Sequence, residues 1–404
     1  MNSRTIPYLT GLFFDSISSG LFMMALPWVM LSEQEMGTFV ALVALSCTLV
    51  SFLAAPFLST LIDRHSRKRL LVRNQWLQAG TAAIIFVAYS FELDSNWLLA
   101  IAQLVYWVSS NFAWTTNGAF TQENYQRHEY AKISGQQEIV MQSTTLGSGA
   151  LGIILLEIWG MREFALFGAA ASSLAALCYM LTPYNQQLKQ SLSTTFLEQL
   201  RESKHIFSEQ KPFFAFILLS CLSYPMVTYL GKLVPIWFSE QDLSGQWFAG
   251  FNLSFGLGSL FTGFIVAHIL NRFTHTHIIM FSMGILFITL FGMSLSTGPL
   301  TILLFTALFG AFNALNRITR IHWMHNTIPI QKRGRVDGGL LMFSTTAQSL
   351  SYALIAILSN YHLTHYGFIV AAAILSVAVG AMWLLHKKLD NPNHKQWQEI
   401  RIPK

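Results

Sequence analysis

Charged residues are scarce in this chain of 404 residues, where Asp, Glu, Lys and Arg together make up only 11%. Hydrophobic residues make up 53%, and the mean hydropathy is positive at +0.45. A soluble globular domain usually carries about 25% charged residues. The shortage of charge therefore excludes an ordinary soluble domain and predicts a membrane protein.

Cysteine is also rare, with Cys47, Cys178 and Cys221 each lying in an apolar run and no CxxC spacing. This pattern predicts neither a disulfide framework nor a thiolate metal site. Three closely spaced histidine pairs lie at 275/277, 322/325 and 362/365. Each pair lacks a nearby third ligand, so we expect no bound metal. The chain has no nucleophile motif and no phosphate-binding loop, and we expect neither an enzyme nor a cofactor.

Apolar windows of about 20 residues recur along the whole chain, and each is long enough to cross a bilayer as a helix. They lie at about 6–31, 36–61, 70–91, 96–120, 134–158, 161–182, 213–238, 245–270, 278–298, 300–323, 338–360 and 363–385. The first window lacks a small-residue cleavage site, so we expect it to remain as a span. The sequence thus predicts an all-α membrane protein with twelve transmembrane helices.

The basic residues are distributed unequally between the two sides of these spans. Of 25 lysines and arginines, three lie within spans: Lys232, Arg317 and Arg320. Arg162 lies in a loop on the side opposite the N-terminus, and the other 21 lie on the same side as the N-terminus. Basic residues concentrate in cytoplasmic loops, so we expect both termini in the cytoplasm of a bacterial inner membrane. The net charge of +6 therefore reflects topology, and we expect no nucleic acid partner.

Two weak internal matches suggest a duplicated unit. LIDRHSRKRLL after span 2 aligns with ILNRFTHTHII after span 8, and AKISG at 131–135 aligns with GRVDG at 334–338. The two offsets are nearly equal, which predicts two pseudo-symmetric six-helix bundles. We place these bundles at 1–182 and 212–385, with a cytoplasmic linker at 183–211 and a tail at 386–404. A capping box at Thr195 to Glu198 predicts an amphipathic helix in the linker, with a solvated linker as the alternative.

Two segments carry a family resemblance that extends over essentially the whole chain. LIDRHSRKR at 61–69 resembles the loop 2–3 signature of the major facilitator superfamily. TIPIQKRGRVDGG at 327–339 resembles a pattern of the efflux branch that includes macrolide and enterobactin exporters. The resemblance implies the major facilitator fold. It also implies that Asp63, Arg64, Arg67 and Lys68 lock an inner gate, and that spans 1, 4, 7 and 10 line a central cavity.

Polar residues occupy the spans that this scheme assigns to the cavity. They are Asp15, Asn111, Lys232, Asn313, Arg317 and Arg320, and Trp114 accompanies Asn111. Asn313, Arg317 and Arg320 are spaced by four and three residues, so they share one helix face. We take these seven as candidate substrate-binding residues, with Asp15 and Glu138 as candidate proton carriers. Snorkelling to the headgroups is the alternative for Arg320, and a structural hydrogen bond is the alternative for Asp15.

The cavity cations favour an anionic substrate, because guanidinium groups bind carboxylates in a forked geometry. With the family resemblance, this predicts a secondary transporter that exports a small anionic metabolite. Among the substrates of the exporters that the chain resembles, a carboxylate-type siderophore fits best. The expected partners are this substrate, protons and membrane lipid. A proton-coupled importer of the iron-loaded siderophore and a multidrug exporter remain alternatives. A lipid flippase or a membrane receptor would be a different class.

Overall fold

The computed structural model describes residues 4–33, 35–126, 129–184, 205, 207–208, 210–328 and 330–389. These residues form helices and contain no strand. The helices are α1 (Thr5–Met30), α2 (Gly37–Arg64), α3 (Arg67–Ser90), α4 (Asn96–Asn124), α5 (Tyr130–Trp159), α6 (Met161–Leu181), α7 (Lys211–Cys221), α8 (Ser223–Glu240), α9 (Gly245–Arg272), α10 (His275–Ser294), α11 (Pro299–Thr327), α12 (Ile330–Asn360) and α13 (Tyr366–Leu389). A helix occupies every expected span, and the prediction of an all-α membrane protein is confirmed.

Nine helical segments of the described chain are long and apolar enough to cross a membrane. The helices α3, α4 and α5 are not among them, although they are 24, 29 and 30 residues long. Their polar side chains lower the hydropathy, and several of these side chains are buried inside the protein. Gln78 on α3, for example, donates to Ser109 on α4 at 2.8 Å. Interhelical hydrogen bonds of this kind satisfy polar groups away from lipid. The count of twelve crossings stays a prediction.

The chain forms two compact units. The N-terminal unit contains Met1–Ser193 and Phe238–Asn252, and the C-terminal unit contains Thr194–Trp237 and Leu253–Lys404. The predicted tail and the amphipathic helix of the linker lie almost entirely outside the described residues. The domain boundaries drawn from the sequence therefore stay predictions.

Aromatic side chains form much of the core of the N-terminal unit. Tyr8 stacks on Phe120 with ring centroids 4.9 Å apart, and Tyr8 also lies 6.2 Å from the ring of Tyr179. Elsewhere in this unit α1 and α6 lie close together at Gly168. A Cβ atom at this position would collide with the ring of Phe22. Small residues at such crossings allow helices to pack without lipid between them.

In the C-terminal unit the expected seventh span is two consecutive helices, α7 and α8, with a break at Leu222. The break leaves backbone carbonyls at the end of α7 without their usual intrahelical partners. Next to the break, apolar residues of α7, α11 and α12 form a core that includes Phe213, Ile217, Met324 and Leu340. The break therefore lies beside a well-packed cluster that holds α11 against α7.

Candidate functional site

The predicted cationic face of α11 lines a pocket of about 270 Å³ in the C-terminal unit. Asn313, Arg317 and Arg320 all contribute to its wall, as their spacing of four and three residues predicts. The remaining lining residues come from the α7–α8 break, from α11 and from α12. They are Cys221, Ser223, Tyr224, Ile321, Met324, Leu340, Leu341 and Ser344. Among the described residues, no acidic side chain lines this cationic pocket.

Arg320 is held inside the protein by the break in the seventh span. Its side chain donates from Nη1 to the Ser220 carbonyl at 2.7 Å, and the residue is only 9% exposed. Asn316 donates to the same carbonyl at 3.0 Å. The Ser220 carbonyl also accepts a backbone N–H at the end of α7, so the two side chains add two further donors to this acceptor. The guanidinium of Arg320 is therefore buried on this partner, and its role in substrate binding stays a prediction.

Arg317 differs from Arg320 although it lies only one turn away. It is exposed on the wall of the pocket, and within the described part of the chain it has no hydrogen bond or ion pair. Asn313 lies one turn before Arg317 on the same helix and is 9% exposed. Two like charges three residues apart repel each other, and a bound anion would relieve that repulsion. The arrangement therefore suits an anion at Arg317.

Lys232 lies on α8 and is 9% exposed. It does not line the pocket that contains Arg317. Asn111 and Trp114 lie in the N-terminal unit, where both are exposed on α4. Asn111 donates to Ser51 Oγ on α2 at 3.3 Å. The structure thus groups three of the seven predicted binding residues in one pocket, and the other four lie elsewhere.

Asp15 lies within the N-terminal unit and is 4% exposed. Its Oδ2 accepts a hydrogen bond from the hydroxyl of Tyr179 at 3.1 Å. Tyr8, whose ring lies against Tyr179, contacts Asn117 Oδ1 through its hydroxyl at 3.1 Å. A carboxyl group buried within a span is costly and commonly functional. Here it is oriented by a tyrosine that the sequence alone did not single out.

The basic residues of the loop 2–3 signature contact other parts of the N-terminal unit. Arg67 Nη1 lies 3.2 Å from Glu123 Oε2 at the end of α4. Tyr184 donates its hydroxyl hydrogen to the same carboxylate oxygen. Lys68 donates to the Thr182 carbonyl at 2.7 Å. The start of α3 is therefore fastened to the ends of α4 and α6.

Two ionisable groups in these contacts at the start of α3, Tyr184 and Lys68, have shifted pKa values. Burial, together with the hydrogen bond to Glu123, raises the pKa of Tyr184 to about 12. Burial lowers the pKa of Lys68. Tyr184 therefore keeps its proton throughout the physiological range and remains a donor to Glu123. Sequence reasoning did not single out Glu123 or Tyr184. An acidic residue at the same end of the spans as the basic loop could have indicated an ion-pair partner for Arg67.

For three further predicted residues the structure describes the backbone but not the side chain. They are Asp63, Arg64 and Glu138. Their assigned roles in gating and proton coupling stay predictions. In the described chain no group of three or more His, Cys, Asp or Glu side chains is arranged to hold a metal ion.

Comparison with known proteins identifies the family. Residues 8–336 and 253–404 match the Major Facilitator Superfamily. The chain belongs to this superfamily. Membership confirms the resemblance carried by residues 61–69 and 327–339. It also agrees with a transporter rather than an enzyme.

Curated relatives are named for efflux. The chain is 22% identical to macrolide efflux protein A of Enterococcus faecalis over 200 residues, which is 48% of this chain and 61% of that protein. It is 20% identical to macrolide efflux protein A of Streptococcus pyogenes over 224 residues, covering 54% and 55% of the two chains. The matched part thus spans just over half the length of these relatives.

A solved structure has the same fold. The chain resembles a bacterial homologue of the iron transporter ferroportin in an inward-facing state, with a TM-score of 0.73 and 15% identity. The match covers 95% of this chain and 99% of that one. At this identity the likeness establishes the fold. Together with the family match and the apolar helices, it confirms the major facilitator fold of a multi-pass membrane protein.

Proposed function

We propose that this protein is a secondary active transporter that exports a small anionic metabolite across the bacterial inner membrane, with both termini in the cytoplasm. The observation that supports an anionic substrate is the cationic pocket around Arg317. Its wall combines an exposed guanidinium, a second guanidinium at Arg320 and the amide of Asn313. Charge-assisted hydrogen bonds from arginine to carboxylate are among the strong ones in proteins.

The size and chemistry of the pocket favour a polycarboxylate. Arg320 already donates to Ser220, so Arg317 is the group that offers both arms of its fork to a ligand. The pocket of about 270 Å³ accommodates part of a moderately sized molecule. Within this class a carboxylate-type siderophore fits best. The binding roles of Asp15, Asn111, Trp114 and Lys232, which lie outside this pocket, stay separate predictions.

Export is favoured by the membrane potential as well as by the names of the relatives. Moving one charge across 100 mV corresponds to about 2.3 kcal/mol, so a trivalent anion leaving an interior-negative cell gains roughly 7 kcal/mol. Import of the same anion would need compensating protons. Asp15 and Glu138 are the groups to carry them, which makes a proton-coupled importer of the iron-loaded siderophore the main alternative.

A multidrug exporter is the second alternative, and the relatives named for macrolide efflux favour it. Such a transporter for neutral or cationic compounds would use Asp15 but would not require Lys232 or Arg317. Mutation of these two cations therefore distinguishes the two functions.

The test uses citrate as the simplest polycarboxylate probe. Purified wild-type protein should gain thermal stability on adding citrate, because a ligand that binds only the folded state raises the melting temperature. Arg317→Gln should weaken this binding about 10- to 100-fold, since a hydrogen bond to a charged group is worth about 1.5–3 kcal/mol. Arg272→Gln is the matched control, because Arg272 is exposed at the end of α9 and outside the pocket.

If Arg317→Gln binds citrate and transports the native substrate as the wild type does, the anion proposal is wrong. The direction of transport needs a separate measurement in cells. Deletion should cause the iron-free siderophore to accumulate inside an exporter's cell. Loss of growth on supplied iron-loaded siderophore would instead identify an importer.

A further inference from the structure

A second cavity lies in the N-terminal unit, between α2, α3 and α4 and apart from the cationic pocket. Its volume is about 450 Å³. Most of its wall is aliphatic or aromatic, from Leu58, Leu61, Leu70, Leu77, Leu104, Val105, Val108 and Phe112. The polar lining residues are Arg73, Asn74 and Ser109, and in the described chain no acidic side chain lines it. We call it the α2–α4 groove.

The two polar lining residues from α3, Arg73 and Asn74, are consecutive in the chain. Arg73 is exposed and, within the described residues, has neither a hydrogen bond nor an ion pair. Asn74 is 6% exposed, and the nitrogen of its amide is buried without a hydrogen-bond partner. A buried donor without a partner is costly, and it points to a ligand that accepts a hydrogen bond.

The outer surface beside the groove is apolar. Leu77, Ile84 and Val87 of α3 are each about half exposed or more, at 54%, 60% and 49%. In a membrane protein such a face lies against acyl chains. Trp76, 48% exposed, lies three residues from Arg73 on this face, and tryptophan favours the headgroup level of the bilayer.

Along α3, basic residues come first and apolar residues follow, in the same order as the headgroup and acyl chain of a phospholipid. Arg73 lies six residues after the start of α3, which is about 9 Å along the helix axis at 1.5 Å per residue. Leu77 follows one turn deeper. A cation near the basic end of the helix and an apolar channel beyond it match a phosphate headgroup followed by an acyl chain.

We propose that the α2–α4 groove binds one anionic phospholipid. Arg73 and the Asn74 amide hold its phosphate, and an acyl chain lies along Leu77 of α3 and the aliphatic residues Leu104, Val105 and Val108 of α4. Basic pockets between transmembrane helices on the cytoplasmic side are a known setting for anionic headgroups. This site is separate from the proposed substrate pocket and does not depend on the identity of the substrate.

The experiment measures phospholipid retained by detergent-purified protein, using phosphatidylglycerol against phosphatidylcholine in native mass spectrometry. Wild-type protein should retain one phosphatidylglycerol in preference to phosphatidylcholine. Arg73→Gln should lower the phosphatidylglycerol affinity about fivefold, the equivalent of about 1 kcal/mol for one basic residue at an anionic membrane surface. Arg73→Lys should keep most of the preference, and Arg272→Gln is the control for an exposed arginine outside the groove.

A second pair of variants tests the acyl chain. Leu77→Trp fills the groove and should reduce retention of the lipid. Ile84→Trp adds the same bulk on the same helix face outside the groove and should not. Equal retention by Arg73→Gln and Arg272→Gln would overturn the headgroup assignment. Stabilisation by inorganic phosphate alone, equal to that by phosphatidylglycerol, would show a free-phosphate site and overturn the lipid proposal.

Discussion

Arg320 on α11 donates a 2.7 Å hydrogen bond to the carbonyl of Ser220, the last residue but one of α7, which lies one hundred residues earlier in the chain. This contact links the cationic pocket to the break between α7 and α8. It also separates the roles of two neighbouring arginines, because Arg320 supports the backbone while Arg317 faces the pocket.

Replacing Arg320 should therefore cost stability. Arg320→Met removes a charged donor from a buried carbonyl, and the expected loss is about 1–3 kcal/mol. Thermal unfolding in detergent measures it. Arg317→Gln is the control, because this side chain has no described partner and its loss should leave the melting temperature nearly unchanged. Equal destabilisation by both variants would contradict the division of roles.

Asn316 should couple energetically to Arg320, since both donate to Ser220. Either single variant leaves the carbonyl with one side-chain donor beside its backbone donor, whereas the double variant Asn316→Ala with Arg320→Met leaves it with the backbone donor alone. The double variant should thus lose more stability than the sum of the two singles, by about 0.5–3 kcal/mol. Strict additivity in a double-mutant cycle would show that the two bonds act independently.

Asp15 is the residue expected to connect transport with pH. Asp15→Asn keeps the shape of the side chain and can still accept from Tyr179, so the protein should fold. It cannot exchange a proton, and the pH dependence of flux in proteoliposomes should disappear. Tyr179→Phe is the companion variant, which removes the hydrogen bond but leaves the acid. Flux in Asp15→Asn with the wild-type pH profile would exclude Asp15 from coupling.

Glu123 should stabilise the folded protein through its contacts with Arg67 and Tyr184 at the start of α3. Its side chain is 1% exposed and pairs with Arg67, whose side chain is 19% exposed. Glu123→Leu leaves the Arg67 cation without its ion-pair partner, and breaking a buried pair in this way costs about 3–5 kcal/mol. Glu123→Gln should cost less because the amide oxygen can still accept from Tyr184. A melting temperature for Glu123→Leu equal to that of the wild type would refute this account.

The crossing of α9 and α11 depends on glycine. A Cβ atom at Gly310 would collide with the Phe255 carbonyl, and one at Gly258 would collide with the Ala307 carbonyl. Gly310→Leu should destabilise the C-terminal unit by about 1–3 kcal/mol or more, as overpacking does. Gly284→Ala is the control, since a Cβ there meets no atom within 4 Å and alanine favours a helix. Equal melting temperatures for Gly310→Leu and the wild type would contradict the close crossing.

Local periodicity in the sequence was sufficient for much of this description. Long apolar windows identified a membrane protein and the position of each helix, because a bilayer demands about 20 apolar residues and internal backbone hydrogen bonds. The spacing of Asn313, Arg317 and Arg320 predicted one cationic face, since residues three and four apart on a helix are neighbours. The residues at 61–69 and 327–339 predicted the superfamily.

Tertiary structure alone decided which groups meet these residues. Ser220 for Arg320, Glu123 for Arg67 and Tyr179 for Asp15 come from other helices, between 56 and 164 residues away. Periodicity shows which face of a helix is polar, but the partner on that face depends on helix packing and on the break at Leu222. Packing also separated Arg317 from Lys232 and formed the groove beside Arg73, because cavities arise where several helices fail to fill the space between them.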